Sequence, residues 1–167
     1  VDTAVDVSLD QAEVQVIDVP DSNTFDVGDY RTDNRGEYLS VTGQVARRTG
    51  VKPLAEELTF VCQRCGTPTT VPQTTGSGMI EPHECQGCER QGPFEVNIDE
   101  STLSDFQVLR LQRPPEQAAK GTGEKVDVNL RGELTGRVEP GDRVDINGSL
   151  EVRKDANDDN ATFEYYV

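Results

Sequence analysis

The chain has 167 residues, 34% of them hydrophobic and 5% aromatic, with no Trp; that suffices for one compact domain with an insertion, or two small domains, around a modest core. No stretch approaches the ~20 apolar residues of a spanning helix, and the first residues carry no basic-then-apolar export signal, so neither a transmembrane nor a secreted protein is expected. Thirty-one acidic against 16 basic residues give a net charge of −15, with 12 Arg to 4 Lys, which fits an acidic partner-binding or partly disordered chain, or a surface adapted to concentrated salt, and argues against nucleic-acid binding by the whole surface.

Residues 1–30 hold eight acidic residues and no Lys or Arg. Within them Val14 and Val16 alternate with Glu13 and Gln15, a period of two that predicts a strand. The next run alternates Leu39, Val41, Gly43 and Val45 with Tyr38, Ser40, Thr42 and Gln44. It overlaps a basic segment, where Arg31, Arg35, Arg47, Arg48 and Lys52 face only Asp33 and Glu37. Pro53 marks a turn, Leu58 and Phe60 lead into a first cysteine pair, and Phe94, Val96 and Ile98 lead out of a second. A second basic segment holds Arg110, Arg113, Lys120 and Lys125 against Glu116 and Glu124, with turn signals at Pro114-Pro115 and Gly121-Thr122-Gly123. Strand patterns return at Val126, Val128 and Leu130, at Val144 through Val152, and at Thr162 to Val167. Pro140-Gly141-Asp142 reads as a turn and the acidic stretch Asp155 to Asn160 as a hairpin tip. Short strands in this number, with Gly43 and Gly148 where glycine marks a bulge or corner, predict an all-β protein built on a small closed barrel. Cations gathered into two segments of an anionic chain point to a local use.

All four cysteines fall in two CxxC pairs, Cys62/Cys65 and Cys85/Cys88, separated by 19 residues. Each CxxC turn aims two thiolates at one point, and the loop lets the second turn complete a tetrahedron around Zn²⁺. Gly66 and Gly87 are expected to supply permissive backbone for these knuckles. Four thiolates leave no position for water, so the predicted site is structural. Two disulfides are the alternative, but nothing indicates an oxidising compartment. His83, two residues before Cys85, reads as a bystander. With one His in the chain no Ser–His–Asp arrangement can be built, and Gly121 to Lys125 lacks the spacing of a phosphate loop.

The runs Tyr38-Leu-Ser-Val-Thr-Gly43-Gln-Val-Ala-Arg47, Val51-Lys52-Pro53 and Phe60-Val-Cys62-Gln-Arg-Cys65-Gly66 resemble the N-terminal region of the minichromosome maintenance (MCM) replicative helicases. So do Pro93-Phe94, Asp105-Phe-Gln107-Val-Leu-Arg110-Leu-Gln112, Pro115-Glu116, and Pro140-Gly141-Asp142-Arg143-Val144 through Gly148. The resemblance covers roughly residues 12–167 and, with the acidic Lys-poor composition, is similar to a haloarchaeal member.

The resemblance implies a five-stranded OB-fold barrel with an inserted four-cysteine zinc-ribbon subdomain and a C-terminal β-hairpin. The barrel's first part would span 1–61, the zinc subdomain 62–93, and its second part 94–167, including an interdomain loop at 113–125 and the hairpin at 148–167. It further implies a cytoplasmic, nucleoid-associated tier of a hexameric ring, single or double, around single-stranded DNA, with the ATP-dependent motor elsewhere in the parent polypeptide. No Walker A or B motif is present, so this chain is not expected to be an enzyme and reads as an excised piece. The family's strand-binding positions map to Arg47, Lys52, Arg110 and Lys125, with Arg48 a neighbour. Three departures stand out: Arg113 where an acidic residue is usual, Glu124-Lys125 for a Pro-Arg pair, and an acidic hairpin tip where relatives are basic. A structural, zinc-dependent collar with little DNA binding of its own is the second expectation. A zinc enzyme or zinc-ribbon RNA-binding factor is the third; it is opposed by the filled thiolate site and the few aromatics.

Overall fold

The computed structural model describes residues 16–74, 78–116, 124–154 and 163–167, with the backbone alone for 163–166. Its regular structure is β throughout, apart from three single-turn 3-10 segments at Asp21–Asn23, Thr32–Asn34 and Gly132–Leu134. The strands are β1 (Thr24–Asp26), β2 (Tyr38–Arg48), β3 (Lys52–Cys62), β4 (Pro68–Pro72), β5 (Phe94–Gln112), β6 (Lys125–Arg131), β7 (Arg143–Ser149), β8 (Glu151–Lys154) and β9 (Phe163–Tyr166). Two compact units share them: Val1–Gln44, Gln112–Val126 and Arg143–Val167 form the first, Val45–Leu111 and Asp127–Asp142 the second.

In the first unit β1 runs parallel to β2, Thr24 opposite Ser40. β7 runs antiparallel to β2, from Tyr38↔Ser149 to Gln44↔Arg143. The predicted period of two is obeyed, with Leu39 and Val41 fully buried. The predicted strand Val144–Val152 is divided at Leu150, which is fully buried and leaves the ladder. Its N–H donates to the Glu37 carbonyl (3.0 Å) and its carbonyl accepts from Gly36 (2.7 Å). Beyond it β8 pairs with β9, Glu151 opposite Tyr166, forming the expected C-terminal hairpin. The glycine at 148 is required for close approach: a Cβ there would lie 2.8 Å from Val167 Cγ1. Val16 is in coil, while Val14, the loop glycines 121–123, Lys120 and the hairpin tip 155–160 lie outside the described residues.

In the second unit the runs on either side of the cysteines are the ends of two long strands. β3 pairs antiparallel with β5 from Lys52↔Phe106 to Cys62↔Phe94, so the ladder ends at the cysteine loop. Register slips where Thr59↔Asn97 gives way to Glu57↔Thr102. Ser101 Oγ closes the slack, donating to the Asn97 carbonyl (2.6 Å) and accepting from Thr59 N–H (3.0 Å). Among the described residues β4 pairs with β3 and with no other strand. Its sequence, Pro-Thr-Thr-Val-Pro, hid it, because prolines read as loop but are tolerated on an edge. Gln107, Leu109 and Leu111 of β5 and Val128 and Leu130 of β6 are buried at alternate positions.

Candidate functional site

Cys62 and Cys85 are buried, Cys88 is partly so and Cys65 is exposed; all four are free thiols. Their sulfurs lie within 4.8 Å of one another, with Cys62 Sγ to Cys88 Sγ at 3.8 Å and Cys65 Sγ to Cys85 Sγ at 3.5 Å. A disulfide needs about 2.05 Å. Four sulfurs at about 2.3 Å from a tetrahedral ion are about 3.8 Å apart. The cage therefore fits a tetrathiolate ion of zinc's size.

The knuckles share one backbone design. Gly66 N–H donates to the Cys62 carbonyl (2.8 Å) and Glu89 N–H to the Cys85 carbonyl (2.9 Å), so the residue after each pair closes its turn. Both closing residues are left-handed, Gly66 at φ +74 and Glu89 at φ +55. The first knuckle uses glycine for this and the second a glutamate, at a cost of about 1–2 kcal/mol. Gly87 serves another purpose than the one expected: a Cβ there would run into Thr67, whose own Cβ would lie 2.9 Å away. Thr67 Oγ1 sits 3.3 Å from Cys65 Sγ, and the Gly87 N–H donates to Cys85 Sγ at 3.3 Å. The Thr67 hydroxyl, with its N–H, pushes the Cys65 thiol down to about 6. The Arg64 N–H is the largest of the effects lowering that of Cys62. Withdrawal from water pushes Cys88 up to about 11. His83 is exposed and outside the sulfur cluster.

Of the four predicted DNA contacts, Arg47, Lys52 and Arg110 lie in the second unit and Lys125 in the first. Arg47 and Lys52 flank the short turn from β2 to β3; both are exposed, and among the described residues neither forms an ion pair. Lys125 opens β6, also exposed. Arg110 is half-buried and engaged: its Nε and Nη2 donate to Asp127 Oδ1 (2.6 Å) and Oδ2 (2.9 Å). Arg48 is held by Glu139 at 2.6 Å.

Two residues that build this turn lie outside the predicted site residues. Gln107 is fully buried, yet its amide is satisfied at both ends, donating to the Thr49 carbonyl and accepting from Gly136 N–H, each at 2.8 Å. Thr49 is tied again through its N–H to the Val108 carbonyl (2.9 Å) and its Oγ1 to the Val108 N–H (3.0 Å). The turn between Arg47 and Lys52 is thus fixed to β5 by three hydrogen bonds. A glutamine among alternating buried leucines was the one available signal.

Arg113 has a structural role. Its Nε and Nη2 donate to the Val27 carbonyl (3.1 and 2.9 Å), and Nη2 also reaches Asp29 (2.5 Å) and Glu124 (3.7 Å). The two departures noted at positions 113 and 124 therefore face one another, positive to negative. Gly28 leaves the space that the Glu124 carboxylate occupies.

A β structure carrying two cysteine knuckles between β3 and β5 belongs to the class of OB-fold domains with a cysteine-rich insertion. Residues 27–154 match the MCM OB domain. The chain belongs to the MCM family. It is 33% identical over 132 residues to the DNA replication licensing factor mcm-6 of Caenorhabditis briggsae, covering 77% of this chain and 16% of that protein. It is 32% identical over 127 residues to the licensing factor mcm7 of Xenopus tropicalis, 73% of this chain and 18% of that one. The crystal structure of the N-terminal domain of an archaeal MCM superposes with a TM-score of 0.73 at 25% identity, over 87% of this chain and 59% of the other. The chain thus spans about a sixth of the mcm-6 relative's length.

Proposed function

We propose that this chain is the DNA-holding and ring-assembly module of an ATP-dependent replicative helicase whose motor lies elsewhere in the parent polypeptide. Arg47, Lys52, Arg110 and Lys125 hold backbone phosphates of single-stranded DNA, and Zn²⁺ on Cys62, Cys65, Cys85 and Cys88 holds the insertion together. The observation that carries the reading is the Arg47–Lys52 turn: two exposed cations without ion-pair partners among the described residues, on a turn fixed to β5, in a chain of net charge −15. Phosphate contacts position a strand without reading bases, and each neutralised phosphate adds about −0.7 to the salt slope. One copy binds weakly; a hexamer around one strand gains by multivalency.

The acidic, Lys-poor composition supports a haloarchaeal source, and the proposed DNA binding implies a cytoplasmic place on the nucleoid. At molar salt the Debye length is ~3 Å, so only direct ion pairs persist, and arginine's rigid fork suits them. An Arg47→Ala, Lys52→Ala variant is expected to melt like the parent chain and to lose oligonucleotide binding at fixed salt. Unchanged binding overturns the assignment.

A second reading is favoured by the Arg110–Asp127 pair, which spends one of the four cations within the protein. In it the chain is chiefly a zinc-dependent collar joining subunits or rings, including double hexamers. Sedimentation with and without a chelator tests it: a collar disassembles when zinc leaves, and assembly that persists refutes it.

A further inference from the structure

We propose that Phe106 is a stacking platform for an unpaired base of the bound single strand. This rests on the phosphate-binding reading above and extends it from the backbone to the bases. In the β3–β5 ladder Phe106 is directly opposite Lys52, and directly opposed residues share a face with Cβ atoms about 4.5–5.5 Å apart. The alternation of β5 assigns that face. Gln107, Leu109 and Leu111 are buried, while Phe106, Val108 and Arg110 stand on the other side, each partly exposed. A phenylalanine recruited only for the core belongs at the odd positions. Phe60 of β3 is buried, 1% exposed; Phe106 is kept partly open beside an exposed ammonium group.

Arg110 lies on the same face four residues further along β5, about 13 Å at the rise of a strand. Cations thus stand beside the ring and beyond it, an arrangement in which phosphates are held while a base lies on the aromatic face. Every base has a π face, so the platform is indifferent to sequence. A paired base is stacked on its neighbours and cannot use it, so the occupant is single-stranded.

The absence of tryptophan from the chain makes the test direct. Phe106→Trp introduces the sole indole at the site; Phe106→Ala removes the ring, and Phe106→Leu keeps apolar bulk without a π face. Each is titrated at fixed salt with oligothymidylate and with an abasic deoxyribose-phosphate oligomer of equal length. The Ala and Leu variants are expected to bind oligothymidylate about tenfold more weakly than the parent, with abasic binding unchanged. The Trp variant is expected to be quenched by oligothymidylate and not by the abasic oligomer. Unaltered oligothymidylate affinity, equal losses on both probes, or an unquenched Trp each overturns the platform. Failure of the underlying reading has a different mark: the Arg47→Ala, Lys52→Ala variant binds both oligomers like the parent, or the parent binds neither, and the platform falls with it.

Discussion

Replacing Asp127 with asparagine separates the structural use of Arg110 from its proposed use on DNA. The Asp127 side chain is 11% exposed and that of Arg110 36%, and two charge-assisted bonds of 2.6 and 2.9 Å join them. Hydrogen bonds to charged groups contribute about 1.5–3 kcal/mol, whereas solvent-screened pairs contribute about 0–1. With the carboxylate largely covered and the guanidinium over a third open, the pair falls between, at about 1–2 kcal/mol. For a chain of this size 1 kcal/mol moves Tm by about 2–4 °C, so Asp127→Asn is expected to lower the melting point by about 2–8 °C. Asparagine keeps the volume and one acceptor but no longer neutralises Arg110. Loss of the Asp127 charge should raise affinity for oligothymidylate and steepen the salt slope by about 0.7. Thermal melts paired with titrations across a salt series measure both. An unchanged melting point refutes the energetic argument. Weaker DNA binding refutes the competition, because it means that the carboxylate aims the guanidinium at the strand.

The knuckle backbones give paired predictions of opposite sign. Gly66→Ala meets nothing within 4 Å, so its left-handed φ alone should destabilise by about 1 kcal/mol, whereas Glu89→Gly should stabilise by about 0.5 kcal/mol after glycine's entropy is deducted. Denaturant unfolding of the metal-loaded chain measures both, and equal signs would refute the shared design. Metal removal should expose all four thiols to a thiol reagent while the amides of Leu109 and Leu111 keep their exchange protection; thiols already reactive before chelation would refute a tetrathiolate ion. Arg113→Ala should lower stability by about 1–2 kcal/mol, since the carbonyl of fully buried Val27 loses both guanidinium bonds. Arg113→Lys should recover only part of this, because one ammonium cannot reproduce the fork; full recovery would reduce Arg113 to a simple charge.

Much of the fold is legible locally. The period-two runs around Leu39–Val45 and Val126–Leu130 became strands because alternation is a property of neighbouring residues. The cysteine quartet was readable for the same reason: a CxxC turn places two sulfurs together whatever surrounds it, and the 19-residue loop permits the second pair to join them. The clustering of scarce cations marks two basic segments, and the family resemblance picks Arg47, Lys52, Arg110 and Lys125 out of them as candidates. Edge strand β4 and the three-residue β1 carried too little pattern to be seen, because pairing rather than composition makes them strands.

The chain by itself determined which residues alternate, which four cysteines could meet at one point, and where positive charge is rationed. Tertiary structure alone decided which charges remain available, since a carboxylate 17 positions away from Arg110 occupies its guanidinium while Arg47 and Lys52 are left open. It alone paired Phe106 with Lys52 and set Gln107 beneath the turn. Such partnerships depend on the register between distant strands, and register is settled by the packing of whole sheets, not by any local run of residues.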